Sequence, residues 1–334
     1  MNTRDRLLAV SVAAMWGVNF IAIDYALRHF PPLFLSALRY AVIAVPAVLF
    51  VPWPRVEWKW LIGYGLGFGT LQFAFLFVAI DVGMPTGLAS LVLQASAPFT
   101  VLLGGMLLRE RITPVQACGI GMAVAGMVVI GWYRSQTAAL LPVLLTLCGA
   151  LGWAFGNLCN RRAKPPNPLH LTLWMSIVPP LPLCTLSVLL EGPSTGLRAL
   201  AGAFTSAQGR SALAGLAYIV LIATVLAAGI WTTLMRRNPA GVVAPFSLLV
   251  PVVGFTAAWL VLHEQPAAIE IAAGFAVVLG VLLGSTSTRN GTSSGTAPSG
   301  TTEGERNSHP HGGDESSAHS SSTGRIRPSR MSSA

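Results

Sequence analysis

The sequence predicts an all-α integral membrane protein: ten transmembrane helices in two inverted five-helix repeats, followed by a disordered tail. Three observations carry this. The chain of 334 residues is 53% apolar and only 10% charged, with mean hydropathy +0.64, where a soluble domain carries roughly 25% charged residues. Its apolar stretches are long enough to cross roughly 30 Å of hydrocarbon. And two of its segments copy each other. Gly87 to Arg111 and Gly241 to Gln265 have the same length, and both close on Leu-x-Glu, at Leu108 and Glu110 and at Leu262 and Glu264. The same offset of 154 residues pairs Tyr64 with Tyr218 and Thr70 with Thr224. A repeat of this size in an apolar chain points to a transporter built of two related halves.

The spans fall at about 7–27, 33–51, 60–80, 86–108, 115–132, 139–158, 170–190, 212–235, 242–262 and 268–285. Turn chemistry marks most breaks, as at Pro31-Pro32, Pro52-Trp-Pro54, Gly83-Met-Pro85, Pro165-Pro166 and Asn238-Pro239. In lipid every backbone polar group must be satisfied internally, and runs of this length without strict alternation are helices rather than barrel strands. The first span follows a short basic start, Met1 to Arg6, and more spans follow it. It therefore reads as a retained helix rather than a signal peptide. The division is 7–132 for the first repeat, 139–285 for the second and 286–334 for the tail.

Orientation comes from the loops. With the N-terminus inside, the cytoplasmic connectors before the tail hold 11 basic residues: Arg4, Arg6, Arg55, Lys59, Arg109, Arg111, Arg161, Arg162, Lys164, Arg236 and Arg237. The external connectors hold four: Arg28, Arg134, Arg198 and Arg210. The positive-inside bias then places both termini in the cytoplasm. Five spans per half is an odd number, so the halves must be inverted. The net charge of +9 is this loop bias, not a nucleic-acid footprint, because no basic patch with interleaved aromatics occurs. Residues 286–334 are rich in Ser, Thr, Gly and Pro and cannot bury enough surface to fold. His309 and His311 there read as solvated tail rather than as metal ligands.

No nucleophile–base arrangement, phosphate loop or metal cluster is legible, which argues against an enzyme and against a cofactor. Cys118, Cys148, Cys159 and Cys184 make no CxxC pair and read as free thiols. Gly63, Gly65, Gly67 and Gly69, like Gly280 and Gly284, read as close helix packing. What remains are polar groups at membrane depth, which are costly there and face a cavity or another helix. Arg39 lies well inside the second span. It is either a fixed positive charge for a carboxylate or a residue that snorkels outward or pairs with Asp24. Trp16 and Asn19 in span one and Trp153 and Asn157 in span six sit at comparable places in the two halves. They either line a shared midplane site or bond and pack between helices. Gln72 and Gln94 are amides deep in spans three and four. Ser96, Pro98 and Thr100 follow Gln94, and Ser247 and Pro251 lie close to the matching point in span nine, where proline frees carbonyls or simply bends the helix. Tyr218, matched to Tyr64, is a wall residue or an interfacial aromatic. No carboxylate sits at the centre of a span, which lowers the case for proton antiport. Glu110 and Glu264 read as end-of-helix residues paired with nearby Arg or backbone donors.

Trp16-Gly-Val-Asn-Phe20, Gln72-Phe-Ala-Phe-Leu-Phe77, Gly83-Met-Pro85 and Gly87-Leu-Ala-Ser-Leu-Val-Leu-Gln-Ala95 resemble the EamA family of the drug/metabolite transporter superfamily. Ala244-Pro-Phe-Ser-Leu-Leu-Val-Pro-Val-Val-Gly254 continues the resemblance, which covers roughly residues 5–285. It implies ten helices in two inverted EamA repeats in a bacterial inner membrane. It also implies export of small amino-acid-like metabolites of the O-acetylserine and cysteine type. Asp24 stands where the resemblance leads one to expect a basic residue. The reading is thus a secondary exporter working by alternating access, lined by Trp16, Asn19, Arg39, Gln72, Gln94, Trp153, Asn157 and Tyr218. Its partners are a small-molecule substrate and membrane lipid, with no nucleic acid; inverted halves in one chain allow a monomer or a homodimer. Rival readings are efflux of drugs, aromatic or other amino acids, a membrane-embedded enzyme, and a scaffold that uses the tail.

Overall fold

A computed structural model of the chain describes residues 1–108, 112–137, 140–238 and 240–286. The tail and Glu110 lie outside these. Among the described residues all regular structure is helical. The long helices are α1 (Thr3–Leu27), α2 (Pro32–Phe50), α3 (Trp58–Asp81), α4 (Thr86–Leu107), α5 (Pro114–Thr137), α6 (Leu141–Ala163), α7 (Pro168–Leu190), α8 (Ala207–Arg237), α9 (Pro245–Leu262) and α10 (Ala268–Thr286). Among the described residues, nine have the length and apolarity of a membrane span; the apolar stretch of α10, Ala268–Gly284, is shorter. A short helix, Thr195–Gly202, connects α7 to α8.

The ends follow from local chemistry. The first N–H groups of a helix lack intrahelical partners, and side-chain oxygens supply them. Asn2 Oδ1 accepts from Asp5 N at 2.8 Å, Asn167 Oδ1 from Leu169 N at 3.1 Å, and Ser206 Oγ from Gly209 N at 2.9 Å. Proline opens α2 and α7, where its missing N–H costs nothing. The helices are also interrupted inside. Tight 3₁₀ turns occur at Leu93–Ala95 in α4, at Met175–Ile177 in α7 and at Ala244–Leu248 leading into α9. Wide π-helical turns occur at Gly65–Leu71 in α3 and at Tyr218–Leu226 in α8.

The outward faces carry Phe50 at 81% exposure and Leu181 at 77%, side chains that hydrocarbon rather than water would cover. Inside, partners come mostly from opposite halves of the sequence. Helix α1 packs on α8 and α9, α6 on α3 and α4, α2 on α7, α4 on α9, and α5 on α10. Small residues set the tightest seams. A Cβ added at Gly67 would lie 2.6 Å from Gly156 N, and one at Gly119 would lie 2.5 Å from Gly280 O. The expectation that these glycines serve packing is thus met at Gly67 and Gly280. The four cysteines are free thiols, with Cys159 buried against Gly63.

Candidate functional site

Arg39 is 5% exposed. Its neighbours on α2 are apolar or small, and α2 lays it against α3 and α8. The guanidinium carbon stands 3.9 Å from the centre of the Phe73 ring, a cation–π distance, and 5.2 Å from that of Tyr40. Nη2 donates to the Thr224 hydroxyl of α8 at 2.9 Å. Among the described residues, Nε and Nη1 are buried without a hydrogen-bond partner. The carboxylate offered by sequence as a structural partner, Asp24, instead accepts from Arg28 at 2.6 Å. A buried guanidinium with no acidic partner is costly unless something arrives to complete it.

Other buried polar atoms lacking a hydrogen-bond partner among the described residues lie on α2 itself and on other helices. Besides Arg134 Nε and Glu270 Oε1 they are Asn19 Oδ1 on α1, Ser36 Oγ and Tyr40 OH on α2, Gln72 Oε1 on α3 and Ser176 Oγ on α7. Aromatic rings link Arg39 to Trp153. Phe73 stands 6.0 Å from Phe68, and Phe68 stands 6.0 Å from Trp153, both edge-on. Gln72, directly before Phe73, is 3% exposed. Arg39 and Trp153 therefore stand at the two ends of one chain of ring contacts.

Trp16, Tyr218 and Asn157 spend their polar atoms on neighbouring helices. Trp16 Nε1 donates to Ala223 O at 2.9 Å, and its ring packs 5.2 Å from Trp231. Tyr218 OH donates to Met15 O at 3.1 Å. Both tie α1 to the π-helical segment of α8, next to Thr224. Asn157 Nδ2 donates to Thr100 Oγ1 at 3.3 Å, joining α6 to α4. Gln94 is half-buried in the 3₁₀ turn of α4. Sequence reasoning did not select Phe73, Ser36, Tyr40, Ser176 or Thr224 as lining residues. For Thr224 the signal was present, since the repeat pairs it with Thr70. For Ser176 nothing distinguished one serine in an apolar run.

Carboxylates tie the halves together at one end of the bundle. Glu264, just past α9, accepts from Thr86 N at 2.7 Å, Thr86 Oγ1 at 2.8 Å and Gly87 N at 3.1 Å, capping α4. This is the backbone-bonded helix-end role expected of it. Glu191 accepts from Leu33 N at 2.6 Å and Phe34 N at 3.1 Å, capping α2. Arg134 Nε and Glu270 Oε1 stand 2.7 Å apart between α5 and α10, close as charges rather than as an aligned hydrogen bond. Two cavities lie apart from the predicted residues. One of about 300 Å³ is apolar, lined by Pro98, Phe99, Met127 and Leu147 among others. The other, about 240 Å³, lies beside Met84, Pro85 and Arg134.

The comparisons fit this architecture. The model of the EamA-like transporter family matches residues 6–132 and again 140–286. A protein of Escherichia coli (strain K12) named "Probable amino-acid metabolite efflux pump" is 38% identical over 289 residues, covering 85% of this chain and 95% of that one. Its namesake in Salmonella typhimurium is 39% identical over the same shares. An "Uncharacterized transporter" of Archaeoglobus fulgidus is 26% identical over 282 residues, 83% of this chain and 96% of its own. A solved crystal structure superposes with TM-score 0.55 at 20% identity, covering 86% of this chain and 98% of that chain, which speaks to the fold alone. Two matches to one family model, together spanning most of the chain, make it a multi-pass membrane protein that belongs to the EamA-like transporter family.

Proposed function

We propose that this protein is a secondary transporter of a bacterial inner membrane that exports small amino-acid-like metabolites, of the O-acetylserine and cysteine type, by alternating access. The observation that carries the reading is Arg39: a guanidinium at 5% exposure with, among the described residues, two nitrogens lacking a hydrogen-bond partner and no acid paired with it. Arg39 holds the substrate carboxylate, since a guanidinium presents paired N–H groups that match two carboxylate oxygens. The unpartnered amide oxygens of Asn19 and Gln72 accept from the substrate's ammonium. Trp153 and Tyr218 form walls, and Trp16, Gln94 and Asn157 complete the lining. Residues of an enzyme's active site are not needed for this work. The names of the 38% and 39% identical relatives support efflux of amino-acid metabolites.

Ten spans in two inverted halves, with both termini cytoplasmic, are the matching architecture. The interlocking partners support it: α1 with α8 and α9 mirrors α6 with α3 and α4. Two halves that exchange partners this way can rock around a central site. The test is efflux of labelled cysteine and O-acetylserine from cells with and without the protein, at matched expression. Efflux accelerates with the wild type, is lost in Arg39→Ala, and is not restored in Arg39→Lys, whose ammonium lacks the fork. Normal efflux in Arg39→Ala refutes the role of Arg39. Tryptophan or a toxic apolar drug competing better than O-acetylserine favours the wider drug and aromatic substrate class.

A further inference from the structure

The two π-helical segments, Gly65–Leu71 and Tyr218–Leu226, occupy corresponding places in the third long helix of each half. The 154-residue offset superposes Tyr64 on Tyr218 and Thr70 on Thr224. In each segment the threonine hydroxyl turns back on the carbonyl five residues earlier. Thr70 Oγ1 donates to Gly65 O at 3.4 Å, and Thr224 Oγ1 donates to Ile219 O at 2.7 Å. Wide π-helical windings are rare inside α-helices and frequently occur at functional sites.

The two segments differ in one respect. The Thr224 hydroxyl also accepts from Arg39 Nη2 at 2.9 Å, whereas among the described residues the Thr70 hydroxyl makes only its own-turn bond. Arg39 stands on the first half and Thr224 on the second, 185 residues apart. Both are buried, at 5% and 8% exposure. Phe73 holds the face of the guanidinium, and Thr224 holds one of its hydrogens. A ring face is non-directional within its plane, whereas the bond to the hydroxyl fixes where Nη2 lies on it. With one Nη2 hydrogen engaged, a fork of N–H groups stays free for a carboxylate.

We propose that Thr224 is a positioning residue for Arg39, so that the affinity of the anion site is set by the contact between α2 and the π-helical turn of α8. This rests on the reading of Arg39 as the carboxylate site. When the halves rock and α2 parts from α8, the guanidinium loses its anchor and the site weakens. An exporter needs that sequence: tight capture in one state, release in the other. Coupling between a bound anion and an inter-half contact is reciprocal, so carboxylate binding in turn holds α2 against α8.

The test uses the purified full chain in detergent. Binding of cysteine and O-acetylserine is read from the rise in melting temperature with concentration, beside cysteamine, which lacks the carboxylate. Thr224→Val weakens binding of the two carboxylates roughly tenfold or more, the lower end of what one hydrogen bond to a charged group is worth. Thr224→Ser stays within about twofold, because the hydroxyl is kept. Cysteamine responds alike in all three proteins. Thr224→Val binding both carboxylates like the wild type, while Arg39→Ala does not bind them, overturns this inference alone. Equal weakening for cysteamine makes Thr224 merely structural and also overturns it. Unchanged carboxylate binding in Arg39→Ala, or no stabilisation of the wild type by either carboxylate, removes the underlying reading as well.

Discussion

Glu264→Ala takes away the acceptor for three hydrogen bonds at the start of α4: two backbone N–H groups and the Thr86 hydroxyl. Thr86 is 2% exposed, while Glu264 is half-buried. A net bond to a charged acceptor is worth ~1.5–3 kcal/mol in a dry site. Here water can enter where the side chain was, so about 1 kcal/mol per donor is the fitting figure. The charge at a helix N-terminus adds ~0.3–1 kcal/mol. The sum is roughly 3–4 kcal/mol. At ~2–4 °C per kcal/mol for a body of this size, the melting temperature falls by about 10 °C. Glu264→Gln keeps one carbonyl oxygen and loses the charge, so its fall is about half as large. Thermal unfolding in one detergent, followed by tryptophan fluorescence, measures all three proteins. An alanine variant melting within about 2 °C of wild type would show that the cap carries little of the stability, and the reasoning from donor count would be refuted.

Gly67→Ala should separate α3 from α6, because the new Cβ would lie 2.6 Å from Gly156 N; a loss of ~1–3 kcal/mol is expected, and an unchanged melting temperature would contradict the seam. Phe73→Leu removes the ring under Arg39, so carboxylate affinity should fall by roughly fivefold or more, read by the same ligand-induced melting shift relative to the variant's own unliganded melting temperature. Tyr218→Phe loses the bond to Met15 O and should cost about 1 kcal/mol, checked by unfolding. Glu57→Gln serves as the contrast: its pair with Lys59 is 65% and 63% exposed, and its melting temperature should match wild type.

The spans were legible because hydrocarbon demands long apolar runs and turn residues between them, and both are written locally. The glycine seams were legible for the same reason: a small residue every few positions is a local pattern with one common use. Arg39 stood out because a charge inside an apolar run has few explanations. What joins it to its surroundings did not. Thr224 lies 185 residues away on another helix, and no local feature says which threonine will meet a guanidinium. Glu191 was invisible as a cap for the same reason, since its donors belong to Leu33 and Phe34. Glu264 was readable only because the repeat drew attention to it. Its three donors on α4 required the folded chain.

The caps of α2 and α4 also impose an order on biosynthesis. Their donors lie near the start of the chain, but the acceptors follow 158 and 178 residues later. At about 5–20 residues per second, the start of α4 waits on the order of 10–35 s for Glu264 to leave the ribosome. During that interval two helix ends sit at the membrane face with open N–H groups, met only by water or lipid headgroups. A nascent chain halted in the first half is therefore a different object from a finished one, with its helices inserted and two of their ends still unsealed.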